Sequence, residues 1–184
     1  MNQENHSKNG IWSRKSIRLQ GYDYRRRGSY FITICTHEME FLFGHIKKGM
    51  MNLNNYGEII NLEWFQIAII RSNIELFKDE FVIMPNHIHG VLRITEGSVT
   101  RQKICVNNPG PAPGSLGAII GQFKSITTKK INLMRNTSGK SVWQRNYFDR
   151  IIRNNKELTN IRNYIHNNPY RWEDDRGSKE IKNG

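Results

Sequence analysis

An α+β fold, an antiparallel sheet with helices packed on it in a split βαβ arrangement, is predicted by three features of the sequence. Runs rich in β-branched and aromatic residues, "SYFITICT" (29 to 36) and "HIHGVLRIT" (87 to 95), read as strands. Two stretches, "YGEIINLEWFQIAIIRSN" and "LGAIIGQFKSITTKKINLM", carry apolar residues at helical spacing. The segments follow one another as strand, helix, strand, strand, helix, strand, with one helix added at the end, an order that packs without knots or unusual crossovers.

Each element has a local reason. The first strand follows Arg27-Gly28, and its apolar content makes it central. A hairpin turning at Lys48-Gly49 leads to the first helix, where Ile59, Leu62, Phe65, Ile69 and Ile70 define one apolar face. "IELFKDEFVIMP" (74 to 85) reads as a strand ended by Pro85 and joined tightly to the strand that His87 opens. Residues 96 to 114 mix Gly, Pro, Asn and Ser without periodicity and are expected to form a long loop. Ser115 caps the second helix, which puts Leu116, Ile119, Ile120, Phe123, Ile126 and Ile131 inward and leaves Lys124, Lys129 and Lys130 near its exposed side. "SVWQRNYFDRII" (141 to 152) is the fourth main strand. Asn154 and Glu157 stand in capping-box relation at the start of the last helix, which runs through Leu158, Ile161 and Ile165 and is expected to stop at Pro169. The result is a single domain over 1–184 of ferredoxin-like or RRM-like type, its core spanning about 18 to 172 with flexible tails on either side.

Charge points to the partner. The 28 Lys and Arg against 16 Asp and Glu leave a formal charge of +12 and a pI near 9.9, which favours a polyanion. Residues 101 to 153 concentrate the excess, with Asp149 as their one acidic residue, and Arg25-Arg26-Arg27 forms a second cluster. Cys35 and Cys105 are too few for a disulfide framework or a four-cysteine zinc site. The first thirty residues lack the apolar run of a signal peptide, and no stretch has the length of a membrane helix, so a cytoplasmic location and no membrane partner are expected.

Two constellations could carry chemistry. In "MPNHIHG" (84 to 90), His87 and His89 point to the same side of a strand with Ile88 turned away, a geometry that suits a shared metal. An isolated His-x-His also reads as two polar residues on a solvated face. On the last helix, Tyr164 and Asn168 share one edge of the apolar stripe, one turn apart. They can serve as nucleophile and metal-directed oxygen if this edge lies over the histidines, or else as a half-buried aromatic and a helix cap.

Together "MPNHIHG", "SLGAIIGQFKS", "VWQRNYFDRIIR" and "YIHNNPYRW" resemble the HUH single-tyrosine transposases, most closely the REP-associated tyrosine transposases of bacteria. The likeness runs from about Arg18 to Trp172 and includes "GYDYRRRGSYFITICT". It implies that His87 and His89 hold a divalent cation, Mg²⁺ or Mn²⁺, and that Tyr164 is the nucleophile. Asn168 falls where related insertion-sequence transposases place a glutamine that helps hold the metal. The implied activity is cleavage and rejoining of single-stranded DNA near hairpins (REP-like palindromes) through a 5′-phosphotyrosine. Such enzymes act as a monomer or as a homodimer. Arg25, Arg26, Arg27, Lys124, Lys129, Lys130, Arg145 and Arg150 are the expected phosphate contacts, and Trp143, Tyr147 or Tyr170 could stack on bases. Two other readings compete: a nucleic-acid binder without catalysis, and a metal-dependent nuclease that uses water.

Overall fold

The computed structural model describes residues 21–95 and 111–180, with side chains through residue 172. The loop expected over 96 to 114 falls outside the described residues from 96 to 110, and so do the ends expected to be flexible. The chain runs β1 (Gly28–Cys35), β2 (Gly44–Lys47), β3 (Met50–Leu53), α1 (Asn55–Ile70), β4 (Ile74–Glu75), β5 (Phe81–Met84), β6 (His87–Ile94), α2 (Leu116–Met134), β7 (Phe148–Ile152) and α3 (Asn155–Glu180). The main sheet is antiparallel, in the order β4-β6-β1-β7, and β5 pairs with β6 beside β4. No helix among the described residues is long and apolar enough to cross a membrane.

Several expected devices are present. Lys48 and Gly49 both have positive φ and turn the β2–β3 hairpin. Ser115 Oγ accepts from the Ala118 amide at 3.3 Å at the start of α2. Asn154 Oδ1 accepts from the Glu157 amide at 2.9 Å at the start of α3. Glu157 in turn accepts from the Arg153 amide at 2.7 Å and from Arg150 at 2.9 Å, and these bonds hold its carboxyl below the ordinary range.

The sheet has two differently occupied faces. In the β1–β6 register Tyr30, Ile32 and Ile34 share a face with Ile88, Gly90, Leu92 and Ile94, and this face packs under α1 and α2 as the main core. Phe31 and Thr33 share the other face with His87, His89 and Val91. There α3 builds a smaller cluster, in which Ile165 meets Phe31 and Val91 with Leu158, Ile161, Val82 and Ile152 around them.

Four expectations need correction. The face of α1 that packs inward is Ile60, Trp64 and Ile67, while Leu62, Ile69 and Ile70 are exposed. That helix is apolar on several sides, so periodicity singles out no face; the seat of the Trp64 ring against Gly90 and Phe81 does. The strand expected over 74 to 85 breaks into β4 and β5 around a 3₁₀ turn at Lys78–Glu80. The strand expected over 141 to 152 begins only at Phe148, because Val142 and Trp143 enter the core from irregular chain, with Trp143 joined to Thr36 by a lone bridge. Helix α3 continues past Pro169 to Glu180, its second half held by Tyr170 over Gly49 and Trp172 against Phe41.

Gly90, which closes the "MPNHIHG" stretch, is set by packing. A Cβ there would lie 2.5 Å from Trp64 Cζ2 and 3.1 Å from Phe81. The Trp64 and Phe81 rings stack at 4.8 Å, which leaves little room to yield. Gly90→Ala is expected to lower stability by about 1–3 kcal/mol, read as a lower denaturant midpoint at unchanged m.

Candidate active site

Strand β6 opens directly after Pro85-Asn86, so the first two residues on its α3-covered face are His87 and His89. Their neighbours fix both rings. Asn86 Oδ1 lies 2.7 Å from His87 Nδ1, and Thr33 Oγ1, directly across on β1, lies 2.8 Å from His89 Nδ1. Phe31 stacks on His89, with ring centroids 5.4 Å apart and 22° between planes. A carboxamide oxygen only accepts, so His87 carries its proton on Nδ1 and keeps a bare lone pair on Nε2. The Thr33 hydroxyl both donates and accepts, so the tautomer of His89 is not set by that contact; the His87 and His89 Nε2 atoms lie 3.0 Å apart, a hydrogen bond when His89 carries its proton on Nε2.

With both rings protonated on Nδ1, the two Nε2 lone pairs would converge on one point, where a cation can sit between them. Burial favours the neutral, metal-binding form, pushing His87 down to about 4 and His89 to about 3, the latter helped by repulsion from His87. Among the described residues no group of three His, Cys, Asp or Glu could hold a metal, so within them any further protein ligand would be a neutral oxygen. The pair therefore fits a divalent cation shared with a phosphate.

Helix α3 brings the tyrosine to this pair. Tyr164 Oη lies 3.2 Å from His89 Nε2, its ring 5.1 Å from the imidazole and edge-on to Phe31 at 6.0 Å. Asn168, one turn further on, is buried, and Trp172 sets its ring 5.8 Å from that of His87. Of the residues singled out in the sequence, His87, His89 and Tyr164 thus meet at one point, with Asn168 on the same helix edge.

The basic residues do not form one surface. Lys124 donates to the Gln144 and Arg145 carbonyls, and burial lowers its pKa. Lys124, Lys129, Lys140 and Arg145 line a groove of about 750 Å³ between α2 and the chain leading to β7, which holds no carboxylate side chain. Lys130 pairs with Glu63 on α1, Arg150 with Glu157, and Arg25 with Asp23. Arg25, Arg26 and Arg27 lie at the opposite end of β1 from the residues that pair with the histidines. Trp143 is not available for base stacking: it is buried against Phe43 and Phe123 and its indole N–H donates to Thr127. Tyr147 packs against the main core, and Tyr170 is half exposed over Gly49.

The sequence reading passed over Thr33, Phe31 and Asn86, the residues that orient the imidazoles. Asn86 was visible as the neighbour of His87, but Thr33 and Phe31 required the β1–β6 register.

A pH effect follows from these rings. The unfolded imidazoles protonate near pH 6.5, whereas the folded ones resist until about 4 and 3, so the unfolded chain binds more protons throughout that window. Stability is then full above pH 6.5 and lost as pH falls, by a few kcal/mol at pH 4. Urea midpoints measured in EDTA should fall over this range, and less steeply in His87→Gln/His89→Gln.

The fold has a solved counterpart. The structure of a REP-associated tyrosine transposase bound to a REP hairpin matches with a TM-score of 0.55 at 17% identity, covering 84% of this chain and 73% of that one. No family model matches the sequence. An uncharacterized protein of Haemophilus influenzae is 40% identical over 172 residues, covering 90% of this chain and 93% of that protein, and the chain belongs to the same family.

Proposed function

We propose that the chain is a DNA strand-transferase and endonuclease that cleaves and rejoins single-stranded DNA beside hairpins through a 5′-phosphotyrosine on Tyr164. The observation that carries this reading is the 3.2 Å approach of the Tyr164 hydroxyl to His89, one of two imidazoles presenting Nε2 at 3.0 Å from each other. His87, His89 and the carboxamide of Asn168 would hold a Mg²⁺ or Mn²⁺. When bound, that ion supplies positive charge that orients the scissile phosphate and offsets charge on the leaving 3′ oxygen.

The chain's own part is positioning. Phe31 and Thr33 fix His89, Asn86 fixes His87, and the packing of the Tyr164 ring edge-on to Phe31 and beside the His89 imidazole holds Oη ready for attack in line with the 3′ oxygen. The new P–Oη bond forms as P–O3′ breaks, releasing a 3′-hydroxyl. One phosphodiester replaces another, so the reverse attack by a 3′-hydroxyl rejoins strands without ATP. That the imidazoles and the phenol come from one chain supports a monomer as the acting unit, and solution mass tests it against a homodimer. The groove of Lys124, Lys129, Lys140 and Arg145 supplies the field for the hairpin's phosphates.

The test uses a 3′-labelled single strand carrying a REP-like hairpin, Mn²⁺ and a denaturing gel. A labelled band at protein size is expected. Cleavage without that band would support hydrolysis by water, and binding without cleavage would support the non-catalytic reading.

A further inference from the structure

Opposite Tyr164 on α3, Arg162 enters a buried charge cluster that the chemistry above does not use. Glu80, at the end of the 3₁₀ turn before β5, is fully buried, and its Oε1 accepts from two guanidiniums. One is Arg93 of β6, whose guanidinium also lies 4.5 Å from the Phe77 ring centroid. The other is Arg162, with Nη2 at 2.6 Å and Nε at 2.9 Å, and it also lies 3.5 Å from Asp79.

We infer that the Glu80–Arg162 pair sets the roll of α3 about its axis, making Arg162 a positioning residue for Tyr164; this rests on the reading of Tyr164 as nucleophile. At 100° per residue, Arg162 and Tyr164 flank the stripe of Leu158, Ile161 and Ile165 on opposite sides. That stripe is short and aliphatic and seats the helix on Phe31 and Val91, while Tyr170 and Trp172 hold only the far end against rolling. A pinned flank resists it directly. About 10° of roll moves an atom about 6 Å from the axis by about 1 Å, enough to break the contact of Oη with His89. Both guanidiniums meet the same oxygen, Oε1, and through it Arg93 ties Arg162 to the strand that carries His89.

Arg162→Ala and Arg162→Lys separate this role from folding, because the Arg162 side chain is 41% exposed whereas Glu80 is inaccessible. At saturating hairpin DNA with Mn²⁺, the rate of covalent adduct formation is expected to fall about 10- to 100-fold in Arg162→Ala, with hairpin Kd within about twofold, and to recover in part in Arg162→Lys. Hydrogen exchange without DNA or metal should quicken in residues 158–168 of Arg162→Ala and stay unchanged in α1 and α2. Unaltered exchange in α3 overturns the inference whatever the activity. A wild-type rate in Arg162→Ala overturns it while leaving Tyr164 as nucleophile. An inactive wild-type protein whose α3 still loosens in Arg162→Ala counts against the proposed function alone.

Discussion

Tyr164→Phe is expected to eliminate the covalent protein–DNA band completely while leaving the fold intact. The substitution removes one oxygen and one hydrogen bond, that to His89, and keeps the ring edge-on to Phe31. Tyr164 is 38% exposed, so the change in stability should stay within about 1 kcal/mol. Covalent chemistry has no substitute: without Oη no phosphotyrosine forms, and any cleavage that persists must use water. Gel analysis of the labelled strand, with thermal melting of the same preparation, reads both effects. An adduct surviving in Tyr164→Phe would remove this residue from the mechanism.

His87→Ala and His89→Ala should each lower cleavage by about a thousandfold or more while hairpin affinity changes little. Each variant leaves one imidazole, and with no third His, Cys, Asp or Glu in a cluster among the described residues, a divalent cation loses its anchor. Most of the positive field lies elsewhere, on the α2 groove and the start of β1, so binding survives. Affinity measured by gel shift in EDTA, beside cleavage in Mn²⁺, separates the two. Binding lost in step with cleavage would place the histidines at the DNA rather than at a metal. His89→Ala also strands Thr33 and Tyr164, so it should cost more stability than His87→Ala.

What the sequence allowed to be read was governed by how local the cause is. The Lys48-Gly49 turn and the caps at Ser115 and Asn154 depend on one or two residues each, and they stand where expected. The parity of His87 and His89 depends only on the pleat. The inward face of α1 differs from the expected one because Leu62, Ile69 and Ile70 are as apolar as the residues that pack, Ile59 and Phe65 among them; only the distant Gly90 makes room for Trp64. The end of α3 was misread because Pro169 does forfeit an amide donor, but contacts of Tyr170 and Trp172 with the hairpin and His87 offset that loss. The meeting of Tyr164 with His89, 75 positions apart, could be expected only through family likeness, since no spacing encodes it. The grip of Glu80 on Arg162, 82 positions apart, had no signal at all.

The two unequal sides of the sheet carry one more consequence. Thermodynamic endurance is vested in the layer beneath α1 and α2, whereas the reactive groups occupy a thin veneer under α3. Substitutions confined to His87, His89 and Tyr164 therefore leave the larger of the two layers, and the greater share of the buried apolar surface, untouched.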